Sequence, residues 1–210
     1  MQQRQEDNEI KKRLALLLAA VMALALVACG ETAKADEFVR GSWEGNVYTN
    51  DSIGLAVTVP ESWAVASDED LAVMMGIAIE QSNSQMQISE EILKAQACYD
   101  MVAADPYGSS SILITAENMA LTIGGTSYNE EAYAEALANQ LLMVDFSIGE
   151  GSTVTIGKRD YHVLRTIDPE NGMSQDYLIT KIGSRMISVV LTYSPEENDL
   201  DSMLAMLGDA

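Results

Sequence analysis

The stretch Gly45–Trp63, GNVYTNDSIGLAVTVPESW, opens the folded part of the chain. Ile53, Leu55, Val57 and Val59 alternate with Gly54, Ala56 and Thr58, a period of two that lines one face of a strand with apolar side chains. Asn50-Asp51-Ser52 stands just before it, and such short polar side chains hydrogen-bond the backbone of a turn. The segment ahead of the turn therefore folds back as the partner strand of a hairpin. Pro60 cannot donate to a ladder and ends the strand. Trp63 reads as the apolar anchor of this hairpin; Trp43 and Trp63 are also candidate contact residues for a partner.

The same alternation of short strands and turns continues. Cys98–Asp105 and Ser111–Asn118 read as two strands joined by the turn PYGSS. STVTIG, RDYHVLRTID, SQDYLITKIG and RMISVVLTY, separated by Gly or Asn turns, read as an antiparallel meander. Three helices interrupt the strands. One starts at the cap Ser67 and runs to about Gln81, with Leu71, Met74, Met75 and Ala78 on one face. The next spans Tyr128 to Phe146, with Ser127 and Glu130 at capping-box spacing and Tyr133, Leu137, Leu141 and Val144 as its stripe. The last starts at Ser194, with Pro195 at its first position and Glu197 three residues after the cap. Between Ser82 and Gln96 the pattern is ambiguous, SEEILKAQ offering a further helical turn or two. Hairpin strands with inserted helices predict an α+β domain, an antiparallel sheet of about six to seven strands flanked by helices. Its 43–210 span is one domain by size.

Ahead of that domain, Lys11-Lys12-Arg13 precedes the apolar run Leu14–Ala28, LALLLAAVMALALVA. A basic cluster, a short apolar core and small residues make a secretory signal over 1–28, and the run is shorter than the roughly 20 residues of a membrane-spanning helix. The polar MQQRQEDNEI before it holds three acids, which points to a translation start further on. Residues 29–42 read as a polar, unpatterned tether.

The chain carries a net charge of −20. The leader holds four basic and three acidic residues, leaving 8 basic and 29 acidic from Cys29 onward, or −21. With so few and scattered cations, nucleic acid is excluded as a partner; the charge keeps an extracytoplasmic surface soluble.

Site chemistry is sparse. His162 is the one histidine, and Cys98 the one cysteine besides Cys29, so a zinc site lacks ligands and the serines have no GxSxG context. A Cys98/His162 pair is compatible with the spacing, because catalytic partners meet in space; Cys98 in KAQACYDMVAAD otherwise packs as a small apolar residue. SDEDL, Ser67–Leu71, and DPENG, Asp168–Gly172, concentrate oxygen ligands, yet neither follows an EF-hand loop. They read as a helix start with acids in its first turn and as a hairpin turn. IGGTS, Ile123–Ser127, is too short for a phosphate loop. No cofactor is expected.

Cys29 in LVACG has only Cys98 to pair with, no co-ligands for a metal, and a place beside a discarded signal that does not suit a nucleophile. An attachment point remains. The order of elements, together with GNVYTNDSIGLAVTVPESW after the tether, resembles small lipoproteins of Gram-positive bacteria with a PsbP-like domain, named for an extrinsic subunit of photosystem II. Leu26, Ala28 and Cys29 are similar to the lipobox of such proteins. The resemblance implies that the Cys29 thiol receives a diacylglycerol and becomes the new N-terminus, with acyl chains such as palmitate giving stable anchoring. It also implies a cell-membrane protein on the extracytoplasmic face, with a partner at the cell envelope. The expected function is a non-enzymatic binding or accessory module. The alternative is a cell-envelope enzyme using carboxylates or Cys98 with His162.

Overall fold

The computed structural model describes residues 38–76, 97–122 and 124–210. The expected signal, tether start and Cys29, and the expected continuation of the first helix through Gln81 with SEEILKAQ after it, lie outside the described residues.

Among the described residues twelve strands make two antiparallel sheets. In the smaller, β1 (Ser42–Glu44), β2 (Val47–Asn50), β3 (Leu55–Thr58) and β12 (Leu207–Gly208) lie in that order. The larger, eight-stranded sheet has the order β4-β5-β6-β11-β10-β9-β7, with β8 also pairing β9. These strands are β4 (Ala64–Val65), β5 (Ala97–Ala104), β6 (Ser110–Asn118), β7 (Ser147–Ile148), β8 (Ser152–Ile156), β9 (Arg159–Ile167), β10 (Ser174–Ile182) and β11 (Arg185–Tyr193). Helix α1 covers 68–76, α2 Glu130–Leu142 and α3 Leu200–Leu204. The architecture is α+β, with more strands than six or seven, because short edge strands and a second sheet add to the meander.

Alternation along the strands sorts side chains into two cores. Tyr99, Val102, Leu113, Val190, Tyr177 and Leu164 face the helices and pack with Leu71 and Met74 of α1 and Tyr133, Leu137 and Leu141 of α2. Met101, Ile114, Val189, Leu178 and Val163 face the other way, against Tyr48, Leu55 and Val57 of the small sheet and Met203 of α3. The hairpin read from Gly45–Trp63 forms as expected: β2 pairs β3, and Ile53, Leu55, Val57 and Val59 are buried. Trp43 and Trp63 both pack, partly buried, against the core between the sheets.

Four expectations need correction. Ser127 does not cap α2. It ends a 3₁₀ turn, Gly125–Ser127, where its hydroxyl donates to the Gly124 carbonyl at 2.6 Å; Asn129 is the cap, accepting from the Ala132 N–H at 2.9 Å. A Cβ on Gly125 would come within 2.4 Å of the Met119 carbonyl oxygen, so the turn requires glycine there. Val144 leaves the α2 stripe: the helix stops at Leu142, Asp145 adopts φ 66°, and the reversed chain puts Phe146 against the core while Val144 is exposed. The start signal at Ser194 yields a turn only, the N–H groups of Glu197 and Asn198 donating to the Ser194 carbonyl; α3 begins five residues on, capped by Asp199 on the Ser202 N–H. Residues 38–42 are packed rather than tether-like, as the Asp100 contacts below describe.

Candidate functional site

Cys98 and His162 are not brought together. Cys98 in β5 stands opposite Ala116, on the face toward the small sheet, while His162 in β9 stands opposite Ile179, on the helix side. Strands β6, β11 and β10 separate them, and four strand spacings amount to about 19 Å. The Cys98 thiol is pushed up by burial first and Asp100 second, against the pull of Arg40 and Arg185, which makes it a poor nucleophile. The pairing that would make a thiol enzyme is contradicted.

The two acidic stretches do structural work. Ser67 Oγ accepts from the Asp70 N–H at 3.1 Å, and Asp70 Oδ2 accepts from the Ser67 N–H at 3.2 Å, a reciprocal cap at the start of α1. Asp68 pairs with Arg40 at 2.8 Å. In DPENG, Asp168 Oδ1 accepts from the Glu170 N–H at 2.8 Å and Gly172 takes φ 73°, closing the β9–β10 turn. Among the described residues no three His, Cys, Asp or Glu side chains group as metal ligands.

Three buried carboxylates were not singled out from the sequence. Asp100 stands at an irregularity in the β5–β6 ladder, between Tyr99 and Met101. Its Oδ2 accepts from Asn50 Nδ2 at 2.8 Å and its Oδ1 from the Gly41 N–H at 3.1 Å. Arg40 donates to the Asp100 carbonyl at 3.0 Å, and Phe38 lies under the Arg185 guanidinium, 5.3 Å from ring centroid to Cζ. Together these contacts fix the lead-in to β1. Asp176 in β10 accepts from the Tyr193 hydroxyl at 2.8 Å and lies 3.6 Å from Arg165 Nε. Glu117 in β6 accepts from the Tyr133 hydroxyl at 2.8 Å, with Thr122 Oγ1 at 3.5 Å. Burial raises all three acids above their ordinary range, Glu117 to about 7. The signal available in the sequence was an acid inside an apolar strand run: CYDMVAAD, LITAEN, SQDYLIT. These acids do not converge. Glu117 faces the helices; Asp100 and Asp176 lie on β5 and β10, three strand spacings or about 14 Å apart.

What the sheet does assemble is a pair of unlike ends. Ser110, Tyr193, Ser174, Ile167 and Ser147 form one row across β6, β11, β10, β9 and β7. Beyond that row lie the 105–109 turn, the 168–173 turn, the 194–199 loop and the 143–146 approach to β7. These four segments hold Asp105, Asp145, Asp168, Glu170, Glu196, Glu197 and Asp199 and neither Lys nor Arg. Five of the eight exposed large apolar side chains among the described residues belong to this end: Tyr107, Leu142, Met143, Val144 and Ile167. Five of the six described cations, Arg40, Lys158, Arg159, Lys181 and Arg185, lie toward the opposite end, where Phe38 enters the fold.

No protein-family model and no curated protein matches the chain. Among solved structures it is similar to the solution structure of cyanobacterial PsbP (CyanoP) from Synechocystis sp. PCC 6803, with a TM-score of 0.48, 11% identity, and 88% of this chain and 99% of that one covered. It is also similar to a crystal structure from Bacteroides thetaiotaomicron VPI-5482, with a TM-score of 0.42, 16% identity and 80% of this chain covered, spanning 49% of that protein. Similarity at this level concerns the course of the chain and carries nothing about activity.

Proposed function

We propose that this chain is a non-enzymatic binding module, held by a lipidated Cys29 on the extracytoplasmic face of a cell membrane, that engages a protein partner at the cell envelope. The observation that carries the reading is the fixed lead-in. Phe38, Arg40 and Gly41 are pinned to Arg185 and Asp100 only nine residues after Cys29, a span of about 30 Å at full extension. An acyl group on Cys29 therefore holds the cation-bearing end of the domain next to the bilayer and turns the acidic end outward. The separation of Cys98 from His162, and the engagement of Asp100, Asp176 and Glu117 in fastening segments of the fold, support a binding role over catalysis.

Metabolic labelling of the full chain with an alkyne fatty acid tests the anchor. The wild-type protein is expected to take up label and sediment with membranes, and Cys29→Ala to lose label and stay unprocessed or be released. Normal processing with membrane retention of Cys29→Ala overturns the anchor.

A further inference from the structure

From the exposed apolar side chains at the acidic end of the large sheet, we infer that this end is a docking surface for a protein that presents Lys and Arg around an apolar patch. The inference rests on the binding-module reading and adds the surface and the chemistry of the partner.

Tyr107 is 91% exposed at the tip of the β5–β6 turn, and Met143 is 81% exposed where the chain leaves α2. Single exposed apolar residues are ordinary on a protein surface; here five of the eight described ones gather at or beyond one row of the sheet. Ser147 pairs Ile167, which brings the Leu142–Val144 segment close to Ile167. Tyr107, in the β5–β6 turn, stands three to four strand spacings from β9, about 14–19 Å, within the breadth of a standard interface. The tyrosine is also held ready. Asp105 accepts from the Tyr107 N–H at 2.6 Å and from Ser109 Oγ at 3.0 Å, and the Ser110 N–H also donates to it, so the turn needs no ordering on binding. Exposed aromatic anchors of this kind are where binding energy concentrates.

Charge decides the partner. Six carboxylates that are not buried, Asp105, Asp145, Glu170, Glu196, Glu197 and Asp199, without a Lys or Arg in the four surrounding segments, repel an acidic surface and draw in a basic one, speeding encounter and excluding wrong partners. A second copy of this chain would set like charge against like. Anionic lipid is repelled in the same way.

Photo-crosslinking in the native membrane, with a photoreactive residue in the full chain at position 107, at 143 or at the α1 position 73, tests the inference. Val73 is also exposed and serves as the control. Positions 107 and 143 are expected to capture the same protein, absent at 73, through a segment whose mapped cross-linked peptide is net positive. Binding of that purified protein to the full chain in nanodiscs is expected to weaken about tenfold or more in Tyr107→Ser/Met143→Ser, with thermal unfolding unchanged. It is also expected to weaken as salt rises. Capture through position 73 alone overturns this surface while leaving the binding-module reading intact. Capture of lipid, of a second copy or of a neutral or acidic segment overturns it, as does no capture at 107 and 143.

Discussion

The Tyr133 hydroxyl of α2 donates to the Glu117 carboxylate of β6 at 2.8 Å, with both residues buried between the helices and the large sheet. Burial raises Glu117 to about 7 in the folded protein, against an ordinary value of 4.5. Between those values the unfolded chain gives up its proton while the folded one keeps it. Stability therefore falls as pH rises from about 4.5 to about 7, by about 3 kcal/mol for this group, and is flat on either side. Urea unfolding across pH 4.5–8 is expected to show a shallower decline in Glu117→Gln. A residual slope of the same sign remains, because Asp100 and Asp176 are raised as well. Parallel curves for variant and wild type would exclude this assignment.

Asp100→Ala removes one acceptor of both Gly41 N–H and Asn50 Nδ2. The Gly41 N–H keeps the Tyr48 hydroxyl at 2.8 Å and Asn50 Nδ2 keeps the Val39 carbonyl at 3.2 Å, so losing the carboxylate is expected to cost about 1 kcal/mol. Limited proteolysis is expected to cut near residues 38–42 faster in the variant than in the wild type. Equal cleavage rates would show that the contacts of Phe38, Val39, Arg40 and Gly41 with other groups hold the lead-in without the Asp100 carboxylate.

Cys98 is expected to react with iodoacetamide at pH 7.5 more slowly than glutathione, because burial and Asp100 disfavour its thiolate, and to speed up in urea. Cys98→Ala is expected to change stability by less than about 1 kcal/mol, the thiol's hydrogen bond to the Tyr99 carbonyl being a long 3.5 Å. Rapid alkylation of the folded protein would contradict the raised thiol.

Leu137→Ala, in the stripe of α2 that faces the sheet, is expected to cost about 2–5 kcal/mol through loss of contacts and the cavity left behind. Val144→Ser, beyond the helix end, is expected to stay within about 0.5 kcal/mol. Chemical denaturation of the two variants side by side measures this, and a large loss in Val144→Ser would restore Val144 to the core.

β3 was legible in advance because a strand with one face buried writes its period into the sequence, as Leu55 and Val57 do. β10 and β11 are buried on both faces and were legible instead from the Gly and Asn turns that bound them. The start of α1 was legible because Ser67 and Asp70 satisfy the first turn within four residues. The cap of α2 was not. Two acceptors, Ser127 and Asn129, stood within reach, and the close approach of Gly125 to Met119 committed Ser127 to its own turn. The candidate surface left a weaker trace: each of its loops is visibly acidic, but their gathering beyond one row follows from the strand register.

By itself the sequence determined the α+β class, the turns and the poverty of catalytic chemistry, since these depend on local periodicity and on which side chains are present. The tertiary structure alone decided that Cys98 and His162 lie on opposite faces and that Asp100 fastens the lead-in. It also decided that five of the six described cations gather toward one end and leave the loops of the other end acidic. Those are facts of strand order and register, and a one-dimensional pattern does not contain the pairing that brings distant residues side by side.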